Sequence, residues 1–392
     1  MSGFDKSAEP VKRALAGLDR LISDELMFHR LAAGKVGLLT NHAATTVDRI
    51  PASLAITRRL DALNGTPPRL FTPEHGMRLA DGAGDAVADG RDPLTGLPVH
   101  SLYMGFEDRV DVVLEGLDAV SIDLRDGGVR CYTYAATAAN FAAAALARHI
   151  EVIVCDRANP LGPSLAGPRP VLERRSILAY FDVPFVHGRT IGELISLATA
   201  PVSSQAPFAI YPADIALRAP LGWIPPSPAL SHPDAVVAYA GLVLLEATNI
   251  RECRGTSVSF RAVAAPGLDA EALAGAINEW PTGFAAASRD IFFVRSPDAG
   301  QTLRGITLWP RRGPHHDALA LGVHLLAWLI ANHPDFAWLP AGDAGFAIDN
   351  LFGRDDLRVQ LDAGASAAEI LRGWRTADYT STGSPSTTTS TS

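Results

Sequence analysis

Short, almost unbroken apolar runs alternate with helix-like stretches through the first half of the chain. Val36-Gly37-Leu38-Leu39, Arg69-Leu70-Phe71, Ala119-Val120-Ser121-Ile122 and Val152-Ile153-Val154-Cys155 each end on a polar turn, and segments such as Ala136 to His149 separate them. Strands that are apolar on both faces belong in a parallel sheet covered by helices, so the pattern predicts a βαβ architecture. Upstream, Val11, Leu15, Leu18, Leu21 and Ile22 recur at helical spacing behind Ser7, a residue type that caps helices. His187 to Glu193 reads as a loop entering a helix, with Thr190 as cap and Glu193 at the capping-box position three residues on.

The pattern changes after Trp223. The stretch Trp223-Ile224-Pro225-Pro226-Ser227-Pro228 resists regular structure and reads as a connection between domains. Beyond it come a helix-like Ala235 to Leu245, strand candidates Ile291 to Val294 and Gly305 to Leu308, and helices near Asp317 to Asn332 and Ala367 to Trp374. The expected fold class is therefore α/β: a Rossmann-like, mostly parallel sheet domain over residues 1–222 and a smaller α/β or α+β auxiliary domain over 223–379. Residues 380–392, almost all Ser and Thr, are expected to be disordered.

Composition narrows the class of ligand. A chain of 392 residues that is 47% hydrophobic and 7% aromatic is long enough for two domains with aliphatic cores. Its net charge of −8, with no basic stripe, argues against a nucleic-acid partner and for a small polar molecule. Cys131, Cys155 and Cys253 are isolated, which suggests neither a disulfide framework nor a zinc site, and the adjacent His315 and His316 read as surface histidines. No metal or cofactor is expected, because neither a dinucleotide-binding glycine motif nor a P-loop occurs; a Gly-x-Ser-x-Gly elbow is also missing. Charges run throughout Met1 to Arg30, and no apolar run approaches membrane-spanning length, so the expected compartment is the cytoplasm, without membrane contact.

Ligands of a parallel sheet collect outside the carboxyl ends of its strands. The residues there are Thr40-Asn41-His42, Thr72-Pro73-Glu74-His75, Asp123-Leu124-Arg125-Asp126 and Asp156-Arg157-Ala158-Asn159-Pro160. Taken singly, Asn, Asp and Asn-Pro are turn formers, and Asp123 or Asp156 reads as a helix cap; their joint placement points to a site. Pro73 stops its strand and presents Glu74 from a stiff corner beside His75, ahead of a glycine-rich segment of the kind that closes over ligands. Glycoside hydrolysis needs an acid to protonate the leaving oxygen and usually a second carboxylate. Glu74 is the candidate acid and Asp126 the second catalytic carboxylate, with Asp123, Asp156 and Glu246 as alternatives. Asn41, Arg130, Tyr132, Arg157, Asn159 and Asn249 are candidate donors for sugar hydroxyls, an acetamido group or a carboxylate, the last best met by an Arg fork.

In order along the chain, these motifs resemble those of the exo-β-N-acetylmuramidases, a family formerly catalogued as a domain of unknown function. Val36 to His42 is similar to its first strand and loop, Thr72-Pro-Glu-His-Gly-Met-Arg78 to its Pro-Glu-His-Gly-Phe-Arg signature, and Asp123 to Tyr134 to its Asp-Ile-Gln-Asp-Val-Gly-x-Arg-Phe-Tyr-Thr-Tyr segment. Thr95 to Val99, Ser101 to Tyr103 and Asp156-Arg-Ala-Asn-Pro160 also match, and Glu246-Ala-Thr-Asn249 and Glu252-Cys-Arg-Gly-Thr256 agree less closely. The resemblance implies a Rossmann-like domain joined to an auxiliary domain with the active site between them. It also implies release of terminal N-acetylmuramic acid from muropeptide or other oligosaccharide fragments, with Arg130 or Arg157 meeting the substrate carboxylate. It adds His75, Arg78 and Arg254 to the substrate-binding set. The chain departs from the family at Ala142-Ala143-Ala144, Leu165-Ala166-Gly167-Pro168 and Ala229, the first two being places where relatives carry a carboxylate. These departures leave a second expectation open, a muropeptide-binding or sugar-binding protein that has lost hydrolysis.

Overall fold

The computed structural model describes residues 14–202, 204–214, 223–294, 298–313, 316–343 and 345–378. Ser7, Val11, His315 and the Ser/Thr tail lie outside the described residues.

The first compact unit comprises the described residues of Met1–Asp126, Thr137–Asn159 and Thr190–Trp223. It is built on one sheet of β1 (Val36–Thr40), β2 (Arg69–Thr72), β3 (Gly90–Arg91), β4 (Pro98–Ser101), β5 (Ala119–Asp123), β6 (Glu151–Cys155) and β7 (Phe208–Tyr211). The strand order is β3-β4-β2-β1-β5-β6-β7. Every pairing is parallel except that of β3 with β4. β1 and β5, mostly apolar, are buried along their whole length, as central strands covered on both faces must be. Their register runs from Val36 opposite Ala119 to Thr40 opposite Asp123. The chain lays β2 and β4 to one side of β1 and returns to start β5 on the other. That reversal opens a crevice at the carboxyl ends of β1 and β5, the place where such sheets bind ligands.

The helices follow from local sequence. Gly17–Ser23 and Glu25–Ala32 bury Leu18, Leu21, Phe28 and Leu31 in a core shared with Val36, Leu38, Leu70 and Ile153. Each such side chain contributes roughly 1.5–3 kcal/mol by leaving water. Ile191–Thr199 starts on the expected capping box: Thr190 Oγ1 accepts from Glu193 N–H at 3.2 Å and Glu193 Oε2 from Thr190 N–H at 3.0 Å. Among the described residues no helix is long and apolar enough to cross a membrane.

The second unit comprises Gly127–Ala136, Pro160–Arg189 and the described residues of Ile224–Ser392. Its sheet is antiparallel, β8 (Ala262–Ala264), β9 (Phe284–Phe292) and β10 (Thr302–Pro310) in the order β8-β10-β9. Pro233–Leu242 and Ala318–Asn332 pack so closely at Gly241 and Gly322 that a Cβ on either would overlap the other helix's backbone. The strand expected at Ile291 to Val294 instead runs from Phe284 to Phe292. Its first half, Ala285-Ala286-Ala287, has low strand propensity and is held by cross-strand pairing with Leu308 and its neighbours. The compact units do not follow the order of the chain. Segments 127–136 and 160–189 belong with the residues after 223, and Arg130 helps to hold them there by donating to the carbonyls of Pro168, Val183 and Phe352.

Candidate active site

Five loops of the first unit gather at the carboxyl ends of β1, β2, β4, β5 and β6. After β2, Pro73 ends the ladder, and His75 (φ 70°) and Gly76 (φ 72°) take the left-handed conformation, so the chain doubles back within one turn. A side chain at Gly76 would meet Asp81 Oδ2 at 2.5 Å. Glu74 is thereby buried at the strand end, with 7% of its surface exposed. Its Oε1 accepts from Gly84 N–H at 2.8 Å. Tyr103, on the loop after β4, hydrogen-bonds the same carboxylate; burial, and then the charge of Glu74, push its phenol up to about 12. His75 Nδ1 lies 2.8 Å from the carbonyl of Asp81, to which it donates. The exposed segment around Gly82 to Ala86 is thus tied at two points to the Glu-His turn.

After β1, Asn41 Oδ1 accepts from Ala43 N–H at 3.1 Å and folds the loop into an Asx turn. Asn41 Nδ2 and Thr72 Oγ1, at the ends of neighbouring strands, are both buried with no hydrogen-bond partner among the described residues. His42 N–H donates to Met77 O at 2.9 Å, which joins this loop to that of Glu74. The His42 imidazole Nε2 is 2.8 Å from Oδ1 of Asp92, a fully buried carboxylate that also accepts from Leu94 N–H at 3.1 Å and Thr95 Oγ1 at 2.9 Å. Burial alone would raise the Asp92 pKa. The hydrogen bonds from His42, Leu94 and Thr95 outweigh it, and the pKa falls to about 2.

At the end of β5, Asp123 is fully buried and takes a two-pronged ion pair from Arg157, at 2.5 Å to Nε and 2.8 Å to Nη2. Arg157 Nη2 also donates to Thr45 O at 2.8 Å. Burial works to lower its pKa, and the charge and hydrogen bonds of Asp123 more than offset this, so that it rises. Arg125 Nε donates to Ala43 O at 2.5 Å; burial, then the neighbouring charge of Arg157, bring its pKa down to about 10. Asp126 is buried, as is Asn159 on the loop after β6. Asp156 Oδ1 accepts from Arg157 N–H at 2.9 Å and Gly192 N–H at 3.0 Å, so it steadies the first turn of Ile191–Thr199, and burial raises its pKa.

Among the candidates, Asn41, Glu74, His75, Arg78, Asp126, Arg157 and Asn159 share one end of one sheet, with Arg78 exposed on the turn that carries Glu74. Arg130, Tyr132, Asn249 and Arg254 belong to the second unit. Both terminal nitrogens of Arg130 are taken by main-chain carbonyls, and its guanidinium lies over Phe185. The Tyr132 ring packs 4.7 Å from that of Tyr134 and 6.0 Å from that of Tyr239. Asn249 clips a loop through Asp335 O and Ala337 N–H, and Arg254 pairs with Glu246 and Glu252 over the Phe260 ring. Sequence reasoning placed Thr72 and His42 at strand ends and Tyr103 in a matching segment without giving any of them a role, and it passed over Asp92. The signal for Tyr103 was its place just after a strand, but β4, from Pro98 to Ser101, is too short to stand out.

A doubly wound sheet with acidic and amide side chains at its switch point, accompanied by a separate antiparallel unit, defines a two-unit α/β protein with a Rossmann-like sheet. The sequence profile of the exo-beta-N-acetylmuramidase NamZ N-terminal domain matches residues 36–234, and that of the C-terminal domain residues 237–379. The chain belongs to the NamZ family. It is 30% identical over 373 residues to the peptidoglycan beta-N-acetylmuramidase NamZ of Bacillus subtilis (strain 168), covering 91% of this chain and 86% of that one. It is similar to two crystal structures of DUF1343 family proteins from Bacteroides fragilis. One has a TM-score of 0.77 at 25% identity, over 94% of this chain and 97% of that chain. The other has a TM-score of 0.69 at 23% identity over 93% and 95%, and shares the fold.

Proposed function

We propose that this protein is an exo-acting glycoside hydrolase that removes terminal β-linked N-acetylmuramic acid, or a closely related amino sugar, from peptidoglycan fragments. The observation that carries the reading is Glu74: a buried carboxyl group held in place by Gly84 N–H and Tyr103, at the carboxyl end of a central parallel strand. Family membership supplies the substrate class. In this reading Glu74 protonates the leaving oxygen, and Asp126 supplies the negative charge that stabilises the oxocarbenium-like transition state. The Asp123 and Asp156 carboxylates are engaged in holding Arg157 and the Ile191–Thr199 helix. Asn41, with its buried amide nitrogen at the strand ends, and Asn159 serve the polar groups of the sugar.

Arg78 is the guanidinium assigned to the lactyl carboxylate that distinguishes muramic acid from glucosamine, because Arg130 and Arg157 already serve other oxygens. The test is incubation of the protein with a muramyl-terminated oligosaccharide and identification of the products. Release of free N-acetylmuramic acid from the non-reducing end is expected, and binding without any monosaccharide release would leave only a sugar-binding protein. Arg78→Ala is expected to lower the kcat/KM preference for 4-nitrophenyl N-acetylmuraminide over the glucosaminide by about 10- to 150-fold, since a charge-assisted hydrogen bond contributes about 1.5–3 kcal/mol. An unchanged preference removes Arg78 from carboxylate recognition.

A further inference from the structure

Arg125 stands just beyond the end of β5, and its guanidinium has a single fixed partner: Nε–H donates to Ala43 O at 2.5 Å. Among the described residues no other acceptor and no carboxylate oxygen pairs with it, so both Nη nitrogens are uncommitted. Neither is closed off from water. Asp123 is the carboxylate whose charge supports Arg125, but both Asp123 oxygens are already taken by Arg157, and Arg157 itself opposes Arg125 as a second positive charge close by. A half-buried cation beside another cation is costly unless an anion joins it. We propose that Arg125 is a specificity-determining residue whose two Nη groups bind an oxyanion, a carboxylate or a phosphate, carried by the sugar in the site. The proposal rests on the hydrolase reading above and adds an anion site at the strand ends to the one assigned to Arg78 on its exposed turn.

The strand register puts this guanidinium at the same end of the sheet as Glu74. Leu39 of β1 stands opposite Phe71 of β2 on one side and opposite Ile122 of β5 on the other. Glu74 is three residues beyond Phe71, and Arg125 is three beyond Ile122. The two therefore leave the sheet at one level, two strand spacings or roughly 10 Å apart. The Arg125 side chain narrows that interval, because it reaches from the end of β5 to the carbonyl of Ala43, on the loop after β1. The preceding residue of that loop, His42, donates its N–H to Met77 O on the Glu74 turn. Asn41 Oδ1 holds Ala43 from its other side by accepting from its N–H, so the carbonyl is a fixed anchor for the guanidinium.

The chemistry follows from which nitrogen is anchored. With Nε committed to Ala43, the edge formed by Nη1 and Nη2 is left for a ligand, and its two parallel N–H groups match two oxygens of a carboxylate or phosphate. A neutral hydroxyl offers that edge only one oxygen. Although its pKa is brought down to about 10, Arg125 keeps its charge at neutral pH. Its contribution is therefore to favour an acidic amino sugar over a neutral one.

The experiment is calorimetric titration of the full chain with three sugars on one skeleton: N-acetylglucosamine, N-acetylmuramic acid and N-acetylglucosamine 6-phosphate. The wild type is expected to bind at least one of the two acids about tenfold or more tightly than the neutral sugar. Arg125→Gln is expected to remove about tenfold or more of that preference, with affinity for the neutral sugar changed by less than about threefold. A residue that served only to hold Ala43 O would not move this ratio, and Gln can still donate to that carbonyl. A preference lost for N-acetylmuramic acid identifies the oxyanion as the lactyl carboxylate, then shared with Arg78; one lost for the 6-phosphate identifies it as a phosphate ester. If Arg125→Gln does not fold, Arg125→Lys takes its place; it keeps the charge, gives up the fork and is expected to lose about threefold or more of the preference. No preference in the wild type, or one that folded Arg125 variants retain in full, overturns the inference and leaves the hydrolase reading standing, because the titration needs no turnover. An Arg125-dependent preference in a protein that releases no N-acetylmuramic acid overturns that reading and leaves the anion site.

Discussion

Replacing Glu74 with Gln is expected to slow cleavage of a muramyl disaccharide by about 10²- to 10⁴-fold, the range that a positioned general acid contributes. Gln keeps the shape of the side chain and an oxygen able to accept from Gly84 N–H and Tyr103, so the turn from Pro73 to Gly76 should stay folded. What it lacks is a proton to give. A sugar alkoxide is a poor leaving group and cannot depart unprotonated, whereas nitrophenolate can. The loss on the nitrophenyl glycoside should therefore be at least about tenfold smaller than on the disaccharide. Equal losses on the two substrates would show that Glu74 acts elsewhere than on the leaving oxygen, and equal turnover by variant and wild type would remove it from the chemistry. The two-substrate comparison matters because a fall in activity alone cannot separate proton donation from positioning.

The central strands could be read from the sequence because a strand buried on both faces has to be almost continuously apolar. Val36 to Leu39, Ala119 to Ile122 and Val152 to Cys155 are of this kind, and the structure extends them by only a residue or so. The edges could not be read in the same way. β3 is the exposed pair Gly90–Arg91, and β7, Phe208–Tyr211, is only partly buried on the other side. Neither carries the apolar run that marks a buried strand. The site divides similarly. The place of the candidate site followed from the sheet, because Glu74, Asp123 and Asp156 fall at or just beyond strand ends. The commitments of individual side chains did not, since they depend on partners far along the chain: Arg130 finds Phe352 O across a separation of 222 residues, and His42 finds Asp92 across 50. Arg130 and Arg157 look alike in sequence as donors for a substrate carboxylate. Only the fold shows one filled by backbone carbonyls and the other by Asp123.

Asp123→Ala is expected to destabilise the first unit by about 3–5 kcal/mol, the range for removing one partner of a buried ion pair. Asp123 has no exposed surface, and its partner's side chain keeps only 9% of its own. The substitution would strand a guanidinium in the core with Thr45 O as its remaining acceptor. The attraction that now holds Arg157 above its ordinary pKa would be lost, while the burial that opposes its charge would stay. At about 2–4 °C per kcal/mol for a domain of this size, the melting temperature should drop by roughly 6–20 °C. Removing both charges together, as in Asp123→Leu with Arg157→Met, should restore more than half of that loss, because apolar groups of similar volume carry no desolvation penalty. A loss below about 1 kcal/mol in the single variant would mean that water reaches Arg157 when Asp123 is gone. The double variant should also differ from wild type in function, since Arg157 fixes Thr45 O on the loop that begins with Asn41. With the pair removed, that loop loses one of its anchors even where the sheet recovers its stability. The double variant is therefore expected to melt close to wild type yet turn over more slowly, which would separate what the ion pair does for the fold from what it does for the site.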